Sequence, residues 1–282
     1  MKIRAGYTIS YGLGAPTPML LLLSVHPSRR GDLIKPDTLN TDPYVEVTQY
    51  FDNFSNVVSR IVAPPGQITL SSDFIIEDSG VPDIQDPSAR EVPVQELPSD
   101  VLPFVLGSRY CETDQLSSLA WSLFGGVTPG WERVQAVVDY AHRRIEFGYH
   151  HARPTKTAFQ AHEEQKGVCR DFAHLSMTLL RCLNIPARYC TGYLGDIGVP
   201  PVDAPMDFSA WIEVYLEGRW FTFDARHNKP RIGRIVMARG RDATDVAIST
   251  AFGTADLLRF DVVTEEVQET PDAASLRSLA AE

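Results

Sequence analysis

Part way along the chain the hydrophobic period changes. Up to about residue 85 apolar and polar residues alternate in short runs: Lys2 to Ser10, Met19 to Val25, Tyr44 to Phe51, Val57 to Ala63 and Ile68 to Ile76. Successive side chains of a strand point to opposite faces, so alternation such as Val45-Glu46-Val47-Thr48-Gln49-Tyr50 predicts half-buried strands. Asp52-Asn53-Phe54 and Pro64-Pro65-Gly66 supply the breaks between them. An antiparallel β-sandwich is therefore expected over residues 1–85. It holds no constellation of chemical groups. His26, beside a proline at a strand end, reads as a structural or surface histidine.

From Asp78 the chain becomes rich in Pro, Asp and Glu, and residues 86–104 read as a linker. Helical spacing then takes over. Thr113 or Asp114 is placed to cap a helix running to Phe124 and stopped by Gly125-Gly126. Thr128-Pro129 opens a second helix, with Trp131, Val134, Val138, Ala141 and Ile145 on one stripe. A short third helix, Ala158 to Glu164, is expected to break at Gly167. Cys169 then begins a buried helix whose apolar face is Phe172, Ala173, Leu175, Ser176, Leu179, Leu180 and Leu183.

Ala187 to Leu194 reads as a strand, and Ser209 to Leu216 with Arg219 to Ala225 as a hairpin turning at Glu217-Gly218. Pairing Leu216 with Arg219 puts Ile212, Val214, Leu216, Phe221 and Phe223 on one face. Ser209, Trp211, Glu213, Thr222 and Asp224 take the other, with Ser209 and Asp224 as diagonal neighbours. Strands are expected at Ile232 to Met237, Val246 to Ser249 and Leu257 to Val263. The second, α+β unit then covers residues 105–266 and a polar tail 267–282.

Charge narrows the partners. With 36 acidic against 26 basic residues the net charge is −10, so no uniformly basic face exists to neutralise phosphates or anionic lipid, and neither nucleic acid nor a membrane is an expected partner. The run Met19 to Val25 is followed by His26-Pro27-Ser28-Arg29-Arg30 without a small-residue cleavage site, and reads as a strand in place of a signal peptide or membrane span. Four cysteines, Cys111, Cys169, Cys182 and Cys190, show neither paired metal-ligand spacing nor the density of a disulfide scaffold. A reducing, cytoplasmic setting is expected. His150-His151 lacks the spacing of a zinc-protease helix, no acidic loop has calcium-ligand spacing, and no glycine-rich phosphate loop is present, so neither metal nor cofactor is expected. Oligomeric state is left open.

A thiol becomes a nucleophile as thiolate, which helix N-terminal amides and a nearby imidazole favour. Gly167-Val168-Cys169-Arg170 at a helix start is such a position. That segment with Asp171-Phe172-Ala173, then Pro186-Ala187-Arg188-Tyr189, Gly192-Tyr193, Ala210-Trp211-Ile212-Glu213-Val214-Tyr215 and Trp220-Phe221-Thr222-Phe223-Asp224, resembles the signature of the transglutaminase-like superfamily, over about residues 105–255. The first 80 or so residues are similar to the β-rich region that precedes this domain in bacterial relatives.

The resemblance implies a papain-like, transglutaminase-like domain in which a Cys-bearing helix packs on an antiparallel sheet. It implies acyl transfer or amide hydrolysis through a thioester, on a peptide or protein amide. Carried over by position, Cys169 matches the nucleophile and Asp224 the orienting carboxylate, but the histidine that precedes the Ala-Trp pair is here Ser209. A serine hydroxyl cannot accept the thiol proton near neutral pH. Another imidazole then has to substitute: His227, three residues beyond Asp224, comes first, with His150, His151 and His162 remoter. His174 lies about 140° around the helix from Cys169. Otherwise the domain binds peptide without turning it over, works slowly on the helix-end thiolate alone, or carries at Ser209 an engineered inactivating change. Gln165 is a candidate to assist the Cys169 amide at the oxyanion and Trp211 a candidate wall of the cleft. Arg226-His227-Asn228 and Arg239-Gly240-Arg241-Asp242 are polar groups near its expected rim.

Overall fold

The computed structural model describes residues 1–202 and 205–267, so all but the first residue of the expected polar tail lies outside it. The alternating N-terminal region forms seven strands: β1 (Lys2–Leu13), β2 (Thr17–Leu21), β3 (Leu33–Lys35), β4 (Asn40–Asp42), β5 (Thr48–Phe51), β6 (Val57–Ala63) and β7 (Gly66–Glu77). Alternation decides their burial. In β7, Ile68, Leu70, Phe74 and Ile76 are buried while Gln67, Asp73 and Glu77 are exposed.

Helices and strands then interleave: α1 (Thr113–Phe124), α2 (Trp131–Arg144), β8 (Glu146–Phe147), α3 (Ala158–Glu164), β9 (Lys166–Gly167), α4 (Cys169–Cys182), β10 (Ala187–Tyr193), β11 (Ser209–Leu216), β12 (Arg219–Phe223) and β13 (Ile235–Gly240). The sheet order is β12-β11-β10-β13, and Leu216 pairs with Arg219 at the hairpin. Glu217 (φ 47) and Gly218 (φ 81) make the turn in the left-handed region that matches strand twist. Residues Asp171 to Cys182 of α4 are all buried. The sheet covers one side of the helix, through Ile212, Val214, Phe221 and Phe223, and α1, α2 and α3 cover the others.

The chain does not finish in this second unit. β14 (Ser249–Ala251) pairs with β2, and β15 (Ala255–Glu266) runs the length of β1, from Leu13 opposite Ala255 to Ile3 opposite Glu266. The sandwich is thus β15-β1-β7-β3, with β4 also on β7, over β14-β2-β6-β5. Residues 249–266, expected with the second unit, complete the first one, because β1 and β2 each leave an edge to be paired. The two cores interlock: Tyr193, Ile197, Phe208, Ile235 and Met237 pack in the sandwich core, and Leu22 and Val58 in the helical one.

Two helix starts differ from expectation. Neither Thr113 nor Asp114 caps α1: Glu112 holds the cap position without a side-chain bond, its carboxylate accepting from the Phe159 N–H at 3.1 Å instead. α2 starts at Trp131 because Gly130 has φ 105; the Gly130 N–H donates to Glu91 at 2.9 Å and that of Trp131 to the Ala89 carbonyl at 3.0 Å. α3 ends at Glu164 as expected, because Gln165 takes the left-handed region at φ 55. The stretch expected as a linker is a strap. Its own Leu97 and Val101 cluster with Tyr215 and its Arg90 bonds Glu217, while Asp83, just before it, bonds Arg234.

Candidate active site

Cys169 owes its place to the residues on either side of it. Val168 is extended, and the Asp171 carboxylate turns back to accept the Val168 N–H at 2.9 Å, closing the first turn of α4. Gly167 makes room for that carboxylate, since a Cβ there would lie 2.6 Å from Asp171 Oδ2. Asp171 is fully buried, and burial raises its pKa. The nearest cation is Lys156, with Nζ 4.0 Å from Asp171 Oδ2 and engaged with the Lys166 carbonyl at 2.8 Å and Glu164 at 3.2 Å.

The Cys169 residue is half-buried, but its thiol packs deeply enough that burial pushes its pKa up to about 11. Arg226 and the Ala210 N–H act the other way, while Asp207 and Asp224 add to the rise. Two depressions meet at this thiol. A narrow cleft of about 100 Å³ is lined by Cys169, Tyr149, Ser209, Arg226, His227 and Asp207, among others. A broader groove of about 550 Å³ shares Cys169, Asp207 and Phe208 and continues past Tyr110, Tyr189 and Ile248.

Asp224 lies just past the end of β12 and is 5% exposed. Its Oδ2 accepts from His227 Nδ1 at 2.9 Å and from Arg234 Nη2 at 3.0 Å; its Oδ1 accepts the N–H groups of Arg226 at 3.0 Å and His227 at 3.2 Å. Burial alone would raise this carboxyl. The Arg234 guanidinium and the His227 bonds outweigh it and hold the group well below the usual carboxylate range. A carboxylate on Nδ1 assigns the proton to that nitrogen and turns the Nε2 lone pair away from Asp224, the state a proton acceptor needs. Ser209 lines the same cleft as Cys169 and His227, and its carbonyl accepts from Thr191 Oγ1 at 3.4 Å.

Other candidates fall elsewhere. Trp211 is not a wall of the Cys169 cleft: it is 2% exposed and packs with Cys190 and Val236, because its β11 position points to the side of the sheet away from α4. Gln165 is exposed at the end of α3 and does not line either depression, since the left-handed turn there carries it to the surface. His174 is fully buried between the rings of Tyr110 and Tyr189, accepts from the Ala243 N–H at 3.2 Å, and has its pKa pushed down to about 3 by burial. His162 contacts Tyr140, and the His150 and His151 rings lie 3.9 Å apart, tilted by 51°, in a short 3-10 turn. His26 accepts from the Ser28 N–H at 3.1 Å beside Arg239, and burial lowers its pKa to about 4. Of the two polar segments only Arg226 and His227 reach the cleft; Arg239 is tied to Glu213, and Arg241 to Asp245.

Asp207 beside the thiol, itself raised by burial, and Arg234 behind Asp224 both escaped the sequence reading. Arg234 carries no sequence signal, because its contact depends on the chain crossing back to enter β13. Among the described residues no group of three or more His, Cys, Asp or Glu is placed to hold a metal ion, and no helix is long and apolar enough to cross a membrane. The four cysteines are free thiols.

Comparison with known proteins places this geometry. The family model described as the transglutaminase-like superfamily matches residues 117–225. A solved structure from Cytophaga hutchinsonii, named as a proposed cysteine protease, is 30% identical and superposes with a TM-score of 0.82 over 96% of this chain and 93% of that one. An uncharacterized protein of Mycobacterium leprae is 27% identical over 254 residues, 80% of this chain and 84% of its own. One of Mycobacterium tuberculosis is 35% identical over 91 residues, 29% of each.

Proposed function

The chain belongs to the transglutaminase-like superfamily, and on that premise we propose a thiol-dependent hydrolase or acyl transferase for peptide, isopeptide or Gln/Glu side-chain amides. Cys169 is its nucleophile, and His227, oriented by Asp224, serves as base in place of Ser209. The observation that carries this reading is the 2.9 Å bond from His227 Nδ1 to Asp224, with His227 in the same cleft as Cys169.

In this scheme the thiol is protonated at rest, in keeping with a pKa near 11. As Cys169 Sγ bonds to the amide carbonyl carbon, its proton passes to His227 Nε2. Amides at the N-terminus of α4 stabilise the oxyanion. Collapse breaks the carbon–nitrogen bond, and His227 returns the proton to the departing amine. Water or a second amine, giving a proton to His227 Nε2, then attacks the thioester carbon; the carbon–sulfur bond breaks, the acid or new amide leaves, and His227 returns the proton to Cys169 Sγ. The broad groove on one side of Cys169 and the narrow cleft on the other suit a chain that runs past the thiol in both directions.

One observation favours a second reading, a peptide-binding protein that keeps the fold: the same high thiol pKa, with no imidazole at position 209. A panel of peptide and γ-glutamyl amides, assayed with this protein and with Cys169→Ala and His227→Gln, separates the two. Turnover lost in Cys169→Ala and reduced about 10²- to 10⁴-fold in His227→Gln supports the enzyme. Peptide affinity retained in both variants, with no turnover in the unaltered protein, supports the binding protein.

A further inference from the structure

On the side of the β10–β13 sheet facing away from α4, a second cavity of about 540 Å³ opens under the strap around residues 78–84. Trp211 and Val236 line its apolar part, and the Arg234 guanidinium carbon stands 5.1 Å over the Trp211 ring. Five arginines line it, Arg29, Arg219, Arg231, Arg234 and Arg239, against three carboxylates, Asp78, Asp83 and Glu213. Those three are committed: Asp78 to Arg29 at 3.3 Å, Asp83 to Arg234 at 2.9 Å, and Glu213 to Arg239 at 2.9 Å and also to Arg188. Arg219 lies over Phe221 and pairs with no described carboxylate.

The lining thus holds more guanidinium groups than carboxylates, and although Arg231 and Arg234 also reach Asp196 and Asp224, part of their donor capacity is unsatisfied. Arg234 gives Nε to Asp83 and Nη2 to Asp224, which leaves Nη1 buried without a partner. Arg231 gives Nη2 to the Gly195 carbonyl at 2.8 Å and stands 3.7 Å from Asp196 Oδ1, which leaves Nε buried without a partner. Arg231 is 4% exposed and Arg234 9%. Buried guanidinium donors are costly to leave unmade, and two of them three residues apart border one cavity.

We infer that this cavity binds a small oxyanion, a carboxylate or phosphate group, whose oxygens accept from Arg234 Nη1 and Arg231 Nε while its carbon skeleton lies against Trp211. It lies on the side of the sheet away from α4 and shares with the Cys169 cleft, among the described lining residues, Arg231 alone. Guanidinium donors, fixed in a plane, match the spacing of carboxylate and phosphate oxygens. Arg234 also holds Asp224, so an occupant of the cavity lies one side chain from the carboxylate that orients His227.

Calorimetric titration of the full chain with sodium phosphate and, separately, sodium succinate, at constant ionic strength, tests the site. One-to-one saturable binding of at least one anion is expected, with the preferred anion identifying the source of the oxyanion. Arg231→Lys keeps the charge but loses the Nε donor, and should weaken binding about tenfold or more. Arg219→Gln, at an exposed position where the fold is not at stake, should weaken it less but measurably. Alkylation of Cys169 should leave the affinity within about twofold, since the cavity shares only Arg231 with the cleft. Saturable binding that vanishes on Cys169 alkylation would assign the anion to the catalytic cleft and overturn the inference. So would equal affinity in the unaltered protein and both variants, or no saturable heat with either anion up to about 10 mM, an affinity of under about 3 kcal/mol.

Discussion

At Cys169 the energetics of burial and of catalysis pull in opposite directions. The thiol sits at a helix N-terminus beside Arg226, both of which favour thiolate, yet burial dominates and lifts its pKa from 9 to about 11. A raised thiol pKa means that the folded protein keeps a proton which the unfolded chain releases first. Iodoacetamide labelling of Cys169, followed by mass spectrometry from pH 6 to 11, should therefore climb about tenfold per pH unit without a plateau near neutrality; a plateau below pH 8 would place the thiolate ion pair in the resting protein. The stability held in that proton is full below the unfolded pKa and is lost as pH rises through about 11. Ser209→His adds an imidazole to the cleft and should raise labelling at pH 7 by about tenfold or more. Arg234→Ala leaves Asp224 buried with one cationic partner fewer, and should cost about 3–5 kcal/mol in chemical denaturation. Which histidine stands beside Asp224 was partly legible in the sequence, since three residues after a strand end is within a turn's reach. Arg234, ten residues on, was not, because a register between strands distant in sequence sets that contact.

The elements that hold the site were more legible than their ends. β6 and α3 follow the expected bounds, because Val57 to Ala63 and Ala158 to Glu164 are flanked by residues that break their period. The β11–β12 register also follows, since only one pairing brings Ile212, Val214, Leu216, Phe221 and Phe223 onto the face that α4 covers. Helix starts were misread where the capping group comes from far away: Glu91 and Ala89 finish the start of α2, and nothing near Trp131 announces them. α4 is the opposite case, with its cap supplied by its own Asp171. Asp171→Ala should cost about 1–2 kcal/mol by thermal denaturation and slow labelling of Cys169, because the first turn that presents the thiol frays. A variant as stable as the parent, with unchanged labelling, would show that packing alone fixes that turn.

Across the whole molecule the two cores are one mechanical unit. Tyr193, Ile235 and Met237 belong to the site-bearing sheet but pack in the sandwich, and β14 and β15 return from the second unit to close the first. Calorimetric melting should accordingly show a single cooperative transition, where two resolved peaks would count against the interlock. The return was not legible in the sequence, since the Ala255 to Glu266 pattern suits any antiparallel edge, and only the long free side of β1 selects its place. That pairing has a consequence for how the protein is made. Residues 2–13 leave the ribosome well before their partners 255–266, so β1 waits with one side unpaired while some 240 intervening residues are translated. Folding of the sandwich is in this sense deferred until β15 emerges, and the nascent chain before that point is the stage at which a chaperone would have the most to protect.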